Sequence, residues 1–426
     1  MSQRWTTKFG SVERTARAVA VLGVAGLVVG ASVEPAGPAS AAVVPAATIS
    51  GPVVQRSQLG IHSYSTRPDL PTGSIRINLN WRSIQPSART FDWRMSDGTL
   101  ARVYRWGYRD VIFTIAGTPA WAATSATSGR EYYGRRSASP PNTDAFKNFM
   151  YRLSARYRGR VKGYEIWNEP TVAGFYQGSP AKMAEMTAAG YLAIRRGDPR
   201  ALVISASPTT HHANNVDTVF RNAYFAGLRH WHWPVDVVAG HFYPTGTLST
   251  PARRRSQLIG FRRSMVAYGA KRKPLWDTET NYLGVGTGGR PNGRITGTTA
   301  AAYITRYYLD NLRMDVQRGY WYMWTTTYLP FAGIQTRPRD AATYALQRYG
   351  SWVVGAHYQG CRNQGVAVLC QFNKAGKTFW IAWSETGTTA IDLGPRLRAV
   401  TPVFNGRSSL GRRAYRLTAL PVRIEG

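Results

Sequence analysis

Two glutamates stand out because of where they fall. Glu169 lies at the end of VKGYEIWNEP and Glu279 at the end of KPLWDTE, and each follows a short, strongly apolar run. The chain has only 22 aspartates and glutamates among 426 residues, so abundance alone does not put carboxyls there. Two carboxyls held close together resist double ionisation, which leaves one as an acid and the other as a base. That is the equipment for breaking an acetal. One group protonates the leaving oxygen, and the other attacks the anomeric carbon or activates the water that does. A separation of about 5–5.5 Å goes with the covalent route and retention of configuration.

Such a pair needs a scaffold that brings distant segments to one place. Short β-branched or aromatic runs recur at 59–64, 74–79, 110–116, 161–167, 201–207, 235–243, 273–279 and 319–324. Several are continuously apolar, as buried parallel strands are. Helical patterns separate most of them. Residues 144–157 carry Phe146, Phe149, Met150 and Leu153 at helical spacing. Ser179 reads as an N-cap with Pro180 at the first helical position, and the face continued by Met183, Met186 and Ile194 ends at Gly197. Residues 340–355 form a further helical stretch. Eight strands with intervening helices predict an α/β fold, a (β/α)₈ TIM barrel. The link 65–73 is too short for a full helix. The turn-rich loops 122–143 and 283–297 follow strand C-terminal ends, where barrels build their active sites.

Beyond residue 357 the pattern alternates, in GVAVLCQF, TFWIAWSE and AIDLG with turns at KAGK and ETGT. This predicts a small C-terminal antiparallel β domain. The expected organisation is a signal peptide over 1–42, an extended lead-in over 43–57, a barrel over 58–357 and a β-sandwich-like domain over 358–426. The signal peptide is read from a basic start (Arg4, Lys8, Arg14, Arg17), an apolar run over 18–31 and small residues Ala39, Ala41 and Ala42. The run is short for a membrane anchor, the alternative reading, and no second hydrophobic stretch follows. A secreted chain, free or associated with the cell wall, is expected, with no integral membrane span. Cys361 and Cys370, nine residues apart in a hairpin-like segment, read as a disulfide in an exported protein.

The motifs resemble those of glycoside hydrolase clan A, and most of all the bacterial branch around family thirty-nine. That branch includes β-xylosidases, α-L-iduronidases and exopolysaccharide-cleaving enzymes. YEIWNEP (164–170) is similar to the acid/base strand, WDTETNY (276–282) to the nucleophile strand, GHFYP (240–244) to the sixth strand and YMW (322–324) to the eighth. GSIRINLNWRSIQPSARTFDW (73–93) resembles the second-strand region and IAGTPAWA (115–122) the end of the third. The resemblance covers residues 58–356. It implies Glu169 as acid/base, Glu279 as nucleophile, and Asn168 as the partner of a sugar 2-hydroxyl. It also implies Arg76 as the arginine that orients the nucleophile, His241 and Tyr243 as sixth-strand site residues, and Trp324 as a sugar platform. Asp277 departs from the small or apolar residue usual there. Trp121 and Trp81 serve either as core or as stacking surfaces, and Trp121 is carried here with the substrate-binding residues. Strand alternation points Glu165 and Asp277 inward as buried partners of Arg76 or another basic side chain.

The implied function is retaining hydrolysis of O-glycosidic bonds in a polysaccharide or oligosaccharide, with no cofactor and no metal. HWHW (230–233) and His211–His212 offer no complete metal ligand set. A transglycosylase would keep the same residues. A catalytically silent carbohydrate-binding envelope protein on the same barrel is the remaining alternative, and the intact Asn168, Glu169 and Glu279 argue against it. The net charge is +32, and residues 1–42 hold four basic and two acidic side chains, so +30 remains beyond them. This charge favours an acidic or cell-envelope polysaccharide as partner, or is simply a solvated basic surface. No nucleic-acid-binding motif accompanies it.

Overall fold

The computed structural model describes residues 51–212, 215–244, 249–282, 293–329, 332–394, 398–411 and 413–425. The expected signal peptide and residues 43–50 of the lead-in lie outside them, as does most of loop 283–297. Eight parallel strands form the barrel: β1 Leu59–His62, β2 Ser74–Asn80, β3 Asp110–Ala116, β4 Gly163–Glu165, β5 Leu202–Ile204, β6 Val238–His241, β7 Leu275–Thr280 and β8 Val316–Trp321. Their order runs β5-β4-β3-β2-β1-β8-β7-β6, and a parallel bridge from Ile204 to Val237 joins the two ends. Each overlaps the run expected from the sequence, and β8 begins and ends three residues earlier than the run 319–324.

The helices are α1 Trp81–Ile84, α2 Arg94–Arg105, α3 Thr143–Arg156, α4 Pro180–Gly197, α5 Val216–His230, α6 Pro251–Ala267, α7 Gly297–Arg313 and α8 Ala341–Val353. Ser179 caps α4, its hydroxyl accepting from the Lys182 N–H at 3.1 Å, with Pro180 at the start. No helix joins β1 to β2, as the short link predicted. That link packs on α8 instead, so closely that a Cβ at Gly350 would come within 2.2 Å of Pro71. Among the described residues no helix is long and apolar enough to cross a membrane.

Inside the barrel Ile112, Ile204, Val237, Ala239, Trp276 and Tyr320 make one apolar plug. Below it the Arg318 guanidinium lies 4.4 Å from the Trp276 ring and bonds Asp110 at 2.5 Å. The larger core fills the space between strands and helices. The plug leaves the C-terminal mouth as the place where polar side chains from different strands meet.

The C-terminal region is antiparallel. β9 His357–Gln364, β10 Ala367–Lys374, β11 Lys377–Ser384, β13 Arg398–Pro402, β14 Ser409–Gly411 and β16 Val422–Glu425 form one sheet. β12 Thr389–Asp392 pairs with β15 Ala414–Leu417 in another. Cys361 and Cys370 stand opposite each other on β9 and β10 and are disulfide-bonded. Residues 51–54, expected as a loose lead-in, are fastened to this region. Val53 bridges His357, and the Tyr358 N–H donates to the Pro52 carbonyl at 2.9 Å.

One carboxylate ties this sheet to the barrel. Glu385, just past β11, accepts from Arg255 of α6 at 2.7 Å, from Arg313 of α7 at 2.8 Å and from Arg306 of α7. Burial pushes its carboxyl up, and the three arginines more than reverse this, so it sits below the usual carboxylate range. The stabilisation is therefore present above the unfolded-state pKa and lost as pH falls through the folded one. Glu385→Ala should lower unfolding free energy by about 2–3 kcal/mol, because among the described residues it leaves Arg306 without an ion-pair partner and Asp310 alone to serve Arg255 and Arg313. Urea unfolding at neutral pH checks this, and the deficit should shrink in acid. An unmoved midpoint would mean that apolar packing alone holds the sheet.

Candidate active site

Arg76, the third residue of β2, is fully buried and points up the barrel axis. Its guanidinium reaches three acceptors. Nε donates to Glu165 Oε2 at 2.8 Å, Nη1 to Glu279 Oε2 at 2.7 Å, and Nη2 to Asn168 Oδ1 at 2.8 Å and Glu165 Oε1 at 3.2 Å. Burial works against its charge, and Glu165 and Glu279 more than restore it. Glu165 also accepts from the Thr114 and Thr278 hydroxyls, at 2.8 and 3.0 Å. Burial opposes its ionisation as well, but Arg76 holds it below the ordinary carboxylate range. Four strands thus meet on one charged cluster, and Glu165 is the buried arginine partner that its alternation suggested.

Glu169 and Glu279 rise from this floor with the tips of their side chains reaching solvent, 13% and 11% exposed. Glu169 has φ 43°, a left-handed backbone that costs a non-glycine residue roughly 1–2 kcal/mol. The turn lets Asn168 and Glu169, neighbours in sequence, both serve the mouth. Asn168 faces Arg76, and its amide N–H₂ is left as the group it offers a ligand. Glu169 Oε1 lies 2.8 Å from His241 Nδ1. Glu279 Oε1 accepts from the Tyr243 hydroxyl at 2.7 Å.

β7 corrects one expectation. His241 of β6 pairs with Glu279 while the preceding Gly240 pairs with Asp277, so β7 carries an extra residue, Thr278. This bulge breaks the alternation. Trp276 and Thr278 point into the barrel and Glu279 follows Thr278 into the mouth. Asp277 turns the other way, to the helix layer, where it accepts from Arg254 of α6 at 2.6 Å and from Thr280 at 2.7 Å. Its basic partner is Arg254, outside the site, so it leaves the field at Glu279 to Arg76.

The electrostatics separate the two glutamates. Burial raises both carboxyls above the ordinary range. Glu279, however, accepts one hydrogen bond from a guanidinium and another from a phenol, and both favour its charged form. Among the described residues Glu169 has only His241 as a side-chain hydrogen-bond partner, and burial drives that imidazole down to about 4, so it is neutral at neutral pH. Direct hydrogen bonding thus favours the charged form of Glu279 more strongly than that of Glu169. Their nearest oxygens, with a nitrogen of His241, lie within 4.8 Å of one another. Three such groups could in principle hold a metal ion. Here the charge a cation would supply is already provided by Arg76, bonded to Glu279, and Tyr243 takes the other oxygen.

The remaining expected residues divide. Tyr243 is buried beside Glu279. Trp324 is 2% exposed, its backbone N–H bonded to the His62 carbonyl at 2.9 Å, and it offers no open ring face to a ligand. Trp121 donates from its indole N–H to the Gln85 carbonyl at 3.0 Å and packs edge-on to Trp81, which is wholly buried. Trp324 therefore acts in packing, whereas Trp121 packs against the core and is only partly buried. Three tyrosines that the sequence reading passed over lie within electrostatic reach of Glu279 and Arg76: Tyr64, Tyr133 and Tyr322. Alternation could have found two of them, since Tyr64 follows the inward His62 by two residues and Tyr322 follows Tyr320. Tyr133 is on a loop and leaves no such signal. His211 and His212 flank the Glu169 side of the mouth, where His212 bonds Asp217 at 2.7 Å. His230 and Trp231 lie at the C-terminal end of α5.

No protein-family model matches the chain, and no curated protein is similar to it in sequence. Solved structures are similar. A family 39 glycoside hydrolase from Bacteroides cellulosilyticus shares 15% identity over 88% of this chain and 82% of that one, with TM-score 0.61. A family 39 β-xylosidase from Caulobacter crescentus shares 16% over 88% and 97%, with TM-score 0.58. A family 30 endoxylanase from Clostridium papyrosolvens shares 13% over 89% and 98%, with TM-score 0.55. The chain has the fold of these glycoside hydrolases. At these identities the likeness is one of architecture, and it is the architecture that the motif resemblance implied.

The electrostatic asymmetry yields a measurable outcome. Replacing Glu279 with Gln removes a negative charge beside Glu169 and should lower the Glu169 pKa. Carboxyl ¹³C NMR titration reads this directly. A Glu169 titration that does not move would show that the two groups do not sense each other.

Proposed function

We propose that this chain is a secreted retaining glycoside hydrolase that cleaves O-glycosidic bonds in a polysaccharide or oligosaccharide. The observation that carries the reading is the pair of carboxyls with oxygens within 4.8 Å, one bonded to a guanidinium and the other to a neutral imidazole. This spacing suits direct attack on the sugar and leaves too little room for the intervening water of an inverting site. The glycosidase activity named for the structural neighbours supports it.

In the first step Glu279 attacks the anomeric carbon while Glu169 gives its proton to the departing glycosidic oxygen. A glycosyl ester on Glu279 forms and the C–O bond breaks. Arg76 and Tyr243 keep Glu279 ionised and aimed until it reacts. Asn168 offers its amide N–H to a sugar hydroxyl beside the reacting carbon. In the second step Glu169, now a carboxylate, takes a proton from water, whose oxygen attacks the same carbon and releases Glu279. Substitution of a sugar hydroxyl for that water would give transglycosylation with no change in the residues. Export rests on the features of residues 1–42, and the chain recovered from the medium should begin just after Ala42 by N-terminal mass analysis.

Glu169→Ala should slow glycosides with poor leaving groups by about 10²–10⁴-fold and spare those with activated leaving groups. Added azide should restore turnover with a product of retained configuration. Glu279→Ala should abolish turnover on both, and azide should then give the inverted product. The reverse pattern would exchange the two roles, and an inverted product from the unaltered enzyme would overturn the mechanism.

A further inference from the structure

We propose that the loop between β3 and α3 forms a shelf beside the catalytic pair that binds an anionic sugar ring of the substrate polysaccharide. The inference rests on the glycosidase reading and narrows its substrate to polymers carrying carboxylate or sulfate groups.

The shelf begins at the reacting groups. Tyr133 sits over the end of β3, where a Cβ at Gly117 would come within 3.1 Å of it, and within electrostatic reach of Glu169 and Glu279. Phe175, from the segment after Glu169, lies 5.9 Å from Tyr133 between ring centres. Tyr132 stacks on Phe175 at 4.3 Å and 24° and is 53% exposed. The three rings therefore run from the catalytic pair out to solvent. Tyr132 is held in place, because its N–H donates to the Gly174 carbonyl at 3.2 Å and a Cβ at Gly174 would strike its ring at 2.5 Å. A fixed, open aromatic ring suits the apolar C–H face of a sugar at little ordering cost.

Charge supplies the second half. Arg130 lies 5.7 Å from the Tyr132 ring. Arg135 follows on the same loop, and Arg82 of α1 donates to its carbonyl at 2.6 Å. Among the described residues the Arg136 guanidinium donates to backbone carbonyls only. Among the described residues none of these four arginines forms an ion pair. The loop's one acid, Glu131, is engaged elsewhere. It accepts from the Thr127 hydroxyl at 2.7 Å and from the N–H groups of Arg136 and Ala138 at 2.8 and 2.7 Å. It thus holds the loop's shape and leaves the guanidinium forks of Arg130 and Arg135 for an external anion.

The test measures binding with turnover removed. Glu279→Gln protein is titrated by calorimetry with polygalacturonate, with its fully methyl-esterified form and with dextran sulfate. A second set of proteins adds Arg130→Ala with Arg135→Ala, Tyr132→Ala, or a control pair on the outer face of α6, Arg253→Ala with Arg263→Ala. The shelf pair should weaken an anionic polymer on the order of tenfold and the control pair by less than about twofold, because screened charges act only locally. The esterified polymer should be indifferent to the shelf arginines and weakened by Tyr132→Ala. Preference for polygalacturonate or for dextran sulfate tells carboxylate from sulfate. Equal losses in shelf and control pairs, equal losses on the esterified polymer, or no binding of either anionic polymer would overturn the shelf. Unaltered protein is incubated with the same polymers and its products weighed by mass spectrometry. Binding at the shelf without cleavage counts against hydrolysis alone, and cleavage with affinities unmoved by the shelf substitutions counts against the shelf alone.

Discussion

The guanidinium of Arg76 is the constraint on which the mouth of the barrel depends. It is a buried cation with carboxylates from β4 and β7 and an amide from the segment after β4 around it. Removing any one partner would leave charge in a dry interior, at a cost of several kcal/mol. The same charge decides its neighbours. His62 and His241 lie close by, and burial together with Arg76 keeps both imidazoles neutral. One permanent cation thus stands beside two imidazoles held neutral. It favours the charged form of Glu279, and the neutral His241 offers Glu169 no comparable charge.

Elsewhere too, an acid-poor chain concentrates its carboxylates at junctions. Asp277 joins β7 to α6 through Arg254, Asp217 orders the loop bearing His212, and Glu385 gathers three arginines between the barrel and the C-terminal sheet. Each accepts more than one hydrogen bond or ion pair. The arginine excess is left largely at the surface, where solvent and salt screen it.

The barrel was legible because its strands are continuous apolar runs with few competing patterns. At the candidate site, motif and strand-end position agree on Glu169, Asn168, Glu279, Arg76, His241 and Tyr243, and the structure brings these six side chains together. β9 was missed since its residues, His357 to Gln364, are polar and half exposed and carry no alternating signal. Trp324 was overvalued because the motif resemblance singled out a tryptophan, whereas the strand's own parity favoured Tyr322. The tyrosines of the 122–143 loop depend on contacts with Phe175 and Gly174, distant in sequence, and no local pattern announces them. Asp277 was misplaced for a different reason, since parity counted from Glu279 fails when a strand holds an extra residue.

That extra residue has a consequence for how this chain can vary. β7 holds one residue more than β6 needs at Asp277–Glu279, and against β8 the excess at Asp277–Thr280 is balanced by an extra β8 residue opposite Leu275 and Trp276. Side-chain identity along it is thus tied to length. Substituting Thr278 alters one contact with Glu165. Deleting one residue between Trp276 and Glu279 would remove the bulge opposite β6, disturb the register with β8 and turn the glutamate toward the helix layer. The strand should tolerate exchange at several positions and loss at none, so descent in this lineage should conserve its length more strictly than its letters.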